Sequence, residues 1–498
     1  MRKRRVYWTL FITAFAWLAS CSDDKIDGSS GFDPNQPIEI TEFYPDSGGI
    51  ATPMIIEGSN FGTDTANMKV YFEDVDGIKH PAGLVSTNGT RIYIFVPKGL
   101  TYKREMNLLV ERKTSDGQEY IGKAADQFIY KTQTSVSTVA GLAAPDNDNQ
   151  PTVGGDLATC TFSAPNYLCL DGEDNIFIAE RTISSGIANQ PKVNCRNEKG
   201  ESLGEKGNIC MVSIDGNSMI ALKYGANLVN APAFSDEKDN ETVYIPEDPG
   251  MGYYELIRLL SYTPRLKTVL KSPETSTIDE NNWKHCFVVN KLDHQIYTVM
   301  WKGQLVQINP KTRTARILLT KISTATVADG GKSGSDSYIA FSPVKGQENM
   351  LYISLADYHQ IWRVDVGTLT DAQKDSYHGE SYAGKAITEG PVAGKGWEDG
   401  LLKNAKFRHP RQICFTEDGK MYIADSGNSC IRVIDTSIAK DKTAVTTPIG
   451  LPGTPGYKDG GPDIAKFHFP FGVAVNSDGT IVYVADTQNK VIRKLSIE

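Results

Sequence analysis

Two blocks near the C-terminal end of this 498-residue chain repeat one another. Gly396-Trp-Glu-Asp-Gly400, Ala405-Lys-Phe407, Pro410, Asp418-Gly419, Tyr422-Ile-Ala-Asp425 and Ile431-Arg432 return as Gly456-Tyr-Lys-Asp-Gly460, Ala465-Lys-Phe467, Pro470, Asp478-Gly479, Tyr483-Val-Ala-Asp486 and Ile492-Arg493. The offset is 60 residues at the start and 61 after the Asp-Gly turn, because Ile481 is extra. A unit of this kind buries its apolar face only by stacking on copies of itself. Each copy reads as short β-branched strands between turns, at 471–475, 481–485 and 491–495 in the last one. Asp478-Gly479 supplies a tight turn, since Gly accepts positive φ and Asp favours turn geometry. The earlier copy adds a fourth strand at 444–449, whereas the later one reaches Glu498 without it. A matching strand lies upstream at 135–141, and it is expected to complete the last unit and so remove an exposed sheet edge.

Strands this short in stacked repeats predict blades of a β-propeller. The motif resembles the NHL-repeat family of propellers, whose pattern joins an Asp-Gly loop, Ala-x-Phe-x-x-Pro, Tyr-(Ile/Val)-Ala-Asp, an Asn turn and Ile-Arg. Residues 396–435 and 456–496 carry it fully. Phe162-x-x-Pro165 with Ile176-Phe-Ile-Ala-Glu180 keeps the spacing but places Glu where the family has Asp. Fainter matches are Leu351-Tyr-Ile353 with Ile361-Trp-Arg363, Val243-Tyr-Ile245 with Leu256-Ile-Arg258, and Gln295-Ile-Tyr297 with Leu305-Val-Gln-Ile308. The expectation is a six-bladed NHL-type β-propeller over 135–498.

The front of the chain reads differently. Arg2-Lys-Arg-Arg5 precedes an apolar stretch too short to favour a spanning helix, which ends in Leu18-Ala-Ser-Cys21. This resembles a bacterial lipobox, with 1–20 as signal peptide and Cys21 lipidated; an ordinary secretory peptide that holds a Cys is the alternative. Ser22-Asp-Asp24 resembles the acidic export tag of Bacteroidetes lipoproteins, which implies an outer-membrane anchor facing the cell exterior. Residues 21–36 are a polar tether. Residues 37–131 form a separate β unit. Its 38–43 strand, Pro45-Asp-Ser-Gly-Gly49 and Met54-Ile-Ile-Glu-Gly-Ser-Asn-Phe-Gly62 resemble the IPT/TIG domain, which implies an immunoglobulin-like sandwich. The fold class is therefore all-β, a sandwich followed by a propeller.

Charge narrows the partners. The formal charge is −8, and the first 20 residues carry four cations and no acid, so the rest stands near −12. That argues against nucleic acid. Beyond Cys21 seven cysteines remain, an odd number. Cys195 and Cys210 flank a polar insertion from Arg181 to Gly207, and a disulfide stapling that loop is one reading of them. Cys414 and Cys430 align with Ala474 and Val491 and are expected as small buried residues of strands. No Cys or His spacing of a zinc site occurs.

Ligands of propellers meet the loops at one end of the ring. Asp425 and Asp486 recur, but each opens a turn with Asn three residues on, which points to a structural role. Trp397 and Tyr457 are equivalent and are expected to fill contacts between blades. Trp283, Trp301, Tyr253, Tyr254 and Tyr358 have no counterpart in the repeat and read as loop residues. Flat apolar faces of this kind stack on sugar rings, provided that they share one surface. Arg181, at the edge of the insertion, joins them as a candidate. His359, beside Tyr358, is the one histidine that stands out as a metal ligand; metal and cofactor stay unassigned. No Gly-x-Ser-x-Gly elbow is present, and Gly331-Lys-Ser333 is not a phosphate loop, because Thr326 stands where that motif needs its first Gly. Three functions stay open. The chain reads first as a non-enzymatic surface lipoprotein that binds a glycan beside an outer-membrane importer. The others are a metal-dependent lactonase- or lyase-like enzyme, and a protein-interaction scaffold.

Overall fold

A computed structural model describes residues 31–496 apart from 50–51, 75–76, 98–104, 115–116, 131–133, 146, 183–192, 249, 271–277, 279–283, 325–334 and 386–394. Cys21 and Trp283 lie outside the described residues. Among those described, regular structure is strand, with short 3₁₀ turns between some strands. Among the described residues no helix is long and apolar enough to cross a membrane. The chain divides into two compact units at Thr132/Gln133.

The first unit holds two sheets. One runs in the order Glu39–Tyr44, Pro53–Gly62, Gly89–Phe95, Gly83–Thr87. The other runs Ser47–Gly48, Glu119–Tyr130, Glu105–Lys113, Met68–Glu73, Lys79–Pro81. Alternation drives the pairing. Met68, Val70 and Phe72 are buried while Lys69 is exposed, because successive side chains of a strand point to opposite faces. Residues of both sheets share one core, in which Phe72 meets Phe128 edge-on at 5.1 Å.

The second unit contains six sheets among the described residues. The innermost strand of each is Pro165–Leu170, Ala233–Ser235, Val288–Val289, Ser337–Phe341, Pro410–Phe415 and Pro470–Val475 in turn. Each packs against the innermost strand of the next sheet, and Pro470–Val475 packs back on Pro165–Leu170. The innermost strands thus form a closed cycle. The sixth sheet takes its fourth strand from the start of the unit, where Ser135–Ala140 runs antiparallel to Val491–Ser496.

Why the motif recurs is visible in the fifth and sixth sheets. Asp425 Oδ2 accepts from Asn428 Nδ2 and from Arg432 Nη1, both at 2.8 Å, and Oδ1 accepts from the Arg408 amide at 2.8 Å. Arg432 then donates to Asp399 Oδ1 at 2.8 Å and lies over the Phe407 ring at 4.9 Å. Asp486, Asn489, Arg493, Asp459 and Phe467 repeat the arrangement. Asp, Asn, Arg and Phe of the motif are therefore one buried latch that ties a loop to its sheet. Burial pushes the Asp486 carboxyl up to about 6 against the pull of Arg493. In the first sheet the arginine position holds Cys210, and Glu180 instead accepts from Thr152 Oγ1 at 2.5 Å and Asn208 Nδ2 at 2.8 Å. The longer side chain reaches partners that the missing guanidinium would have supplied.

Three expectations need correction. Cys195 and Cys210 are free thiols, each buried, so no disulfide staples the insertion; Cys195 instead faces Ser163 and Asn208. Cys414 is only partly buried, unlike Cys430. Trp397 and Tyr457 do not fill contacts between sheets: they are 48% and 41% exposed. Trp397 Nε1 donates to Thr447 Oγ1 at 2.9 Å and the Tyr457 hydroxyl meets Thr138 Oγ1 at 2.7 Å, so each clips its loop to the outermost strand.

Candidate functional site

The first residues of the innermost strands bring chemistry together at one end of the cycle. Tyr167 comes from the first sheet and Tyr338 from the fourth, three sheets apart, and their hydroxyls meet at 2.9 Å. Phe471 of the sixth sheet packs beside Tyr167 with ring centroids 6.4 Å apart. Gln412 of the fifth reaches Leu168 of the first, accepting from its amide at 3.0 Å and donating to its carbonyl at 2.5 Å. Gly472 makes that reach feasible, since a Cβ there would stand 2.9 Å from Gln412 Oε1 and 2.5 Å from the Asn166 carbonyl oxygen. Tyr167, Tyr338 and Phe471 are 3%, 0% and 2% exposed, so they close the centre of the cycle as a plug.

A polar cluster stands on this plug, at the level where the innermost strands begin. Arg411 Nη1 donates to the Tyr338 hydroxyl at 2.8 Å and to Asp336 Oδ2 at 3.2 Å, while its guanidinium lies 4.1 Å over Phe471. His285 Nε2 stands 3.3 Å from Asp336 Oδ1. Arg181 donates to Asn230 Oδ1, and Asn230 Nδ2 donates to Asp248 Oδ2 at 2.5 Å. Lys284 pairs with Asp248 at 3.2 Å, both wholly buried. The Asp336 amide donates to Asp357 Oδ2 at 3.1 Å, which carries the cluster to the turn Ala356–Tyr358. The Asp336 side chain is 25% exposed, against 5% for His285 and 4% for Arg411. It is the carboxylate that the cluster offers to a ligand.

The electrostatics favour an ionised Asp336 beside neutral imidazoles. Burial works against the Asp336 charge, but His285, Arg411 and Arg181 outweigh it and hold the carboxyl well below its usual range. Burial pushes His285 down, against the pull of Asp336 and Asp248. Burial, then His359 and Arg411, push His409 down to about 2. His409 packs edge-on to His359 at 4.6 Å, and its amide donates to His359 Nδ1 at 3.1 Å, which leaves the His359 proton on Nε2. Arg411 Nε and Asn166 Nδ2 are buried without a partner among the described residues. Each such group costs about 1–3 kcal/mol, a loss of stability concentrated at this end. Among the described residues no group of three or more His, Cys, Asp or Glu is arranged to hold a metal.

The sequence candidates divide. Arg181 ends the strand Ile176–Arg181, half-buried and in the cluster. Trp301 is half-buried in a turn, and its carbonyl accepts from the Ser335 amide at 2.9 Å, next to Asp336. Tyr358 lies in the turn beside Asp357 but is only 8% exposed. Tyr253 and Tyr254 are not loop residues: both lie in the strand Gly252–Ile257, at 0% and 4% exposure. Tyr253 packs edge-on against Phe287 at 6.1 Å, and neither ring presents a face for stacking. His285, Asp336 and Arg411 escaped the sequence reading. One signal was present for Arg411, a charge where the repeat places Phe471.

No protein-family model matches the chain. A segment of 101 residues is 33% identical to human NHL repeat-containing protein 2, covering 20% of this chain and 13% of that protein. The chain thus spans well under a fifth of the length of that relative. A solved Bacteroides thetaiotaomicron structure of unknown function is similar at TM-score 0.59 and 21% identity, over 94% of this chain and 100% of that one. Another, described as an auxiliary nutrient binding protein of the same organism, is similar at TM-score 0.55 and 21% identity, again over 94% and 100%. These findings support an NHL-type β-propeller.

Proposed function

We propose that this chain is a lipid-anchored surface protein that binds a glycan, or another extracellular ligand rich in hydroxyls, at the loop end of a six-bladed propeller. The observation that carries the reading is the partly open Asp336 carboxylate, held between Arg411 and His285 on a closed plug. Carboxylates and guanidinium groups together accept from and donate to sugar hydroxyls, and the half-buried Trp301, whose carbonyl bonds the residue before Asp336, is the aromatic candidate for the same ligand. The charged groups are largely paired with one another, Arg411 with Asp336 and Lys284 with Asp248, which suits an uncharged ligand. The nutrient-binding role printed for the similar Bacteroides structure supports the same direction. In this reading Cys21 carries the lipid, residues 37–131 are an IPT/TIG-type immunoglobulin-like spacer, and the anchored protein raises glycan concentration beside an outer-membrane importer.

Calorimetry of the folded protein against amylose, arabinoxylan, yeast mannan and chondroitin tests it. Binding to at least one, weakened by Asp336→Asn and by Trp301→Ala, is expected; no binding to any overturns the reading. The His285–Asp336 pair favours a second reading, a lyase or lactonase. Turnover of a bound ligand, lost in His285→Gln, would establish that one instead.

A further inference from the structure

We infer that Ser335 and Asp357 are the positioning residues of this site, an inference that rests on the glycan reading above. They tie the backbone that carries the Asp336 carboxylate to the turn that carries Trp301. The repeat shows what they replace. In the fifth and sixth sheets the latch carboxylate accepts from the amide two residues ahead of the innermost strand, Asp425 from Arg408 and Asp486 from His468, each at 2.8 Å. Leu355 stands at the latch position of the fourth sheet. It faces Ser337 as Asp425 faces Pro410, and it likewise leads into a 3₁₀ turn. A leucine side chain accepts no hydrogen bond, so the backbone ahead of Ser337 needs another anchor. Asp357, two residues after Leu355, accepts from the Asp336 amide through Oδ2 at 3.1 Å. The Asp357 amide donates to Ser335 Oγ at 2.9 Å, and that hydroxyl donates to the Asp336 carbonyl at 3.0 Å. The Ala356 amide donates to the same carbonyl at 2.9 Å. Both polar groups of the Asp336 backbone are thus fixed to the turn Ala356–Tyr358. The Ser335 amide donates to the Trp301 carbonyl at 2.9 Å, and the Ser335 carbonyl accepts from Ser337 Oγ at 3.0 Å. Ser335 is 1% exposed, with its amide, carbonyl and hydroxyl all bonded. The latch carboxylates Asp425 and Asp486 are wholly buried and occupied by their own loops. Asp336 instead has its backbone held by neighbours, which leaves its partly open carboxylate to face a ligand already ordered.

Calorimetry of the full chain tests this with whichever of amylose, arabinoxylan, yeast mannan and chondroitin the unaltered protein binds. Each variant is first checked for folding by its melting curve. Ser335→Ala and Asp357→Ala are each expected to weaken binding about tenfold, because each removes a bond that holds the Asp336 backbone. Asp357→Asn keeps an oxygen that accepts from the Asp336 amide, and it is expected to bind within about twofold of the unaltered protein. The decisive readout is coupling. A residue that acts through Asp336 has little left to act on in Asp336→Asn, so Ser335→Ala is expected to cost less than about twofold in that background. A merely structural role predicts the same fold-loss in both backgrounds. Unaltered binding in folded Ser335→Ala and Asp357→Ala, a loss in Asp357→Asn as large as in Asp357→Ala, or full additivity with Asp336→Asn each overturns the inference while the glycan reading stands. If Ser335→Ala does not fold, the Asp357→Asn and Asp357→Ala pair decides. Absence of binding by the unaltered protein to every polymer overturns both.

Discussion

Asp336 and His409 show how one residue's surroundings set its behaviour. Asp336 is held ionised by His285, Arg411 and Arg181 against the cost of burial. A carboxyl lowered in this way contributes stability above its ordinary value of 3.8, and the contribution is lost as pH falls through the lower folded value. Its charge is therefore constant across neutral conditions. Ligand affinity is expected to stay flat between about pH 5 and about pH 8, which titration at several pH values checks. His409 behaves in the opposite chemical sense. Its folded value of about 2 lies below the ordinary 6.5, so the unfolded chain takes up a proton first as pH falls. Stability is complete above 6.5 and declines below it, by about 1.4 kcal/mol per pH unit at most, or about 2 kcal/mol at pH 5. His285, lowered by burial too, acts in the same direction. The sixth sheet already holds Phe469 at the equivalent place, with φ of 52° against 51° for His409. His409→Phe is expected to flatten the acid side of the melting-temperature profile. A profile that stays as steep would remove His409 as a cause.

At the scale of the element, the latch explains the repeat. Asp425 and Arg432 are wholly buried and bonded to each other, so removal of Asp425 leaves Arg432 buried with only the partly exposed Asp399 as its ionic partner. Asp425→Ala is expected to lower stability by about 3–5 kcal/mol in urea denaturation. Replacement of both partners by apolar residues of similar volume is expected to cost much less, since no charge is left unpaired. The first sheet lends this support, because Cys210 stands at the arginine position and Glu180 has found neutral partners. These elements were legible in the sequence because their spacing follows strand and turn geometry. Trp397 and Tyr457 were legible as equivalent but not as edge clips, since their partners Thr447 and Thr138 lie on outermost strands, the latter more than 300 residues away. Tyr253 and Tyr254 were misread for a related reason. Their strand keeps only the faint Leu256-Ile-Arg258 match, and aromatic residues ahead of so weak a signal look like loop residues until the neighbouring sheets are in place.

For the whole second unit, closure is the decisive event. Ser135–Ala140 pairs with Val491–Ser496, so the start and finish of the unit share one sheet. A fragment that begins at Thr134 is expected to unfold cooperatively. One that begins at Leu142 leaves Val491–Ser496 as a bare edge and is expected to lose several degrees of melting temperature or to aggregate. Identical melts for the two would show that the closing strand contributes nothing. The same closure makes the site. Tyr167 and Tyr338 are 171 residues apart in sequence, and no local pattern connects them. By itself, the sequence determined the stacked all-β repeats, the structural role of their repeated Asp and the shortfall of a strand in the last copy, because these depend on local periodicity and fixed offsets. Only the tertiary structure decided that Arg411, His285 and Asp336 stand together on a sealed floor. Arg411 lies in the innermost strand of the fifth sheet, and His285 and Asp336 lie just ahead of those of the third and fourth, at positions where the repeat imposes no chemistry; a closed cycle is what converts those separate positions into one site.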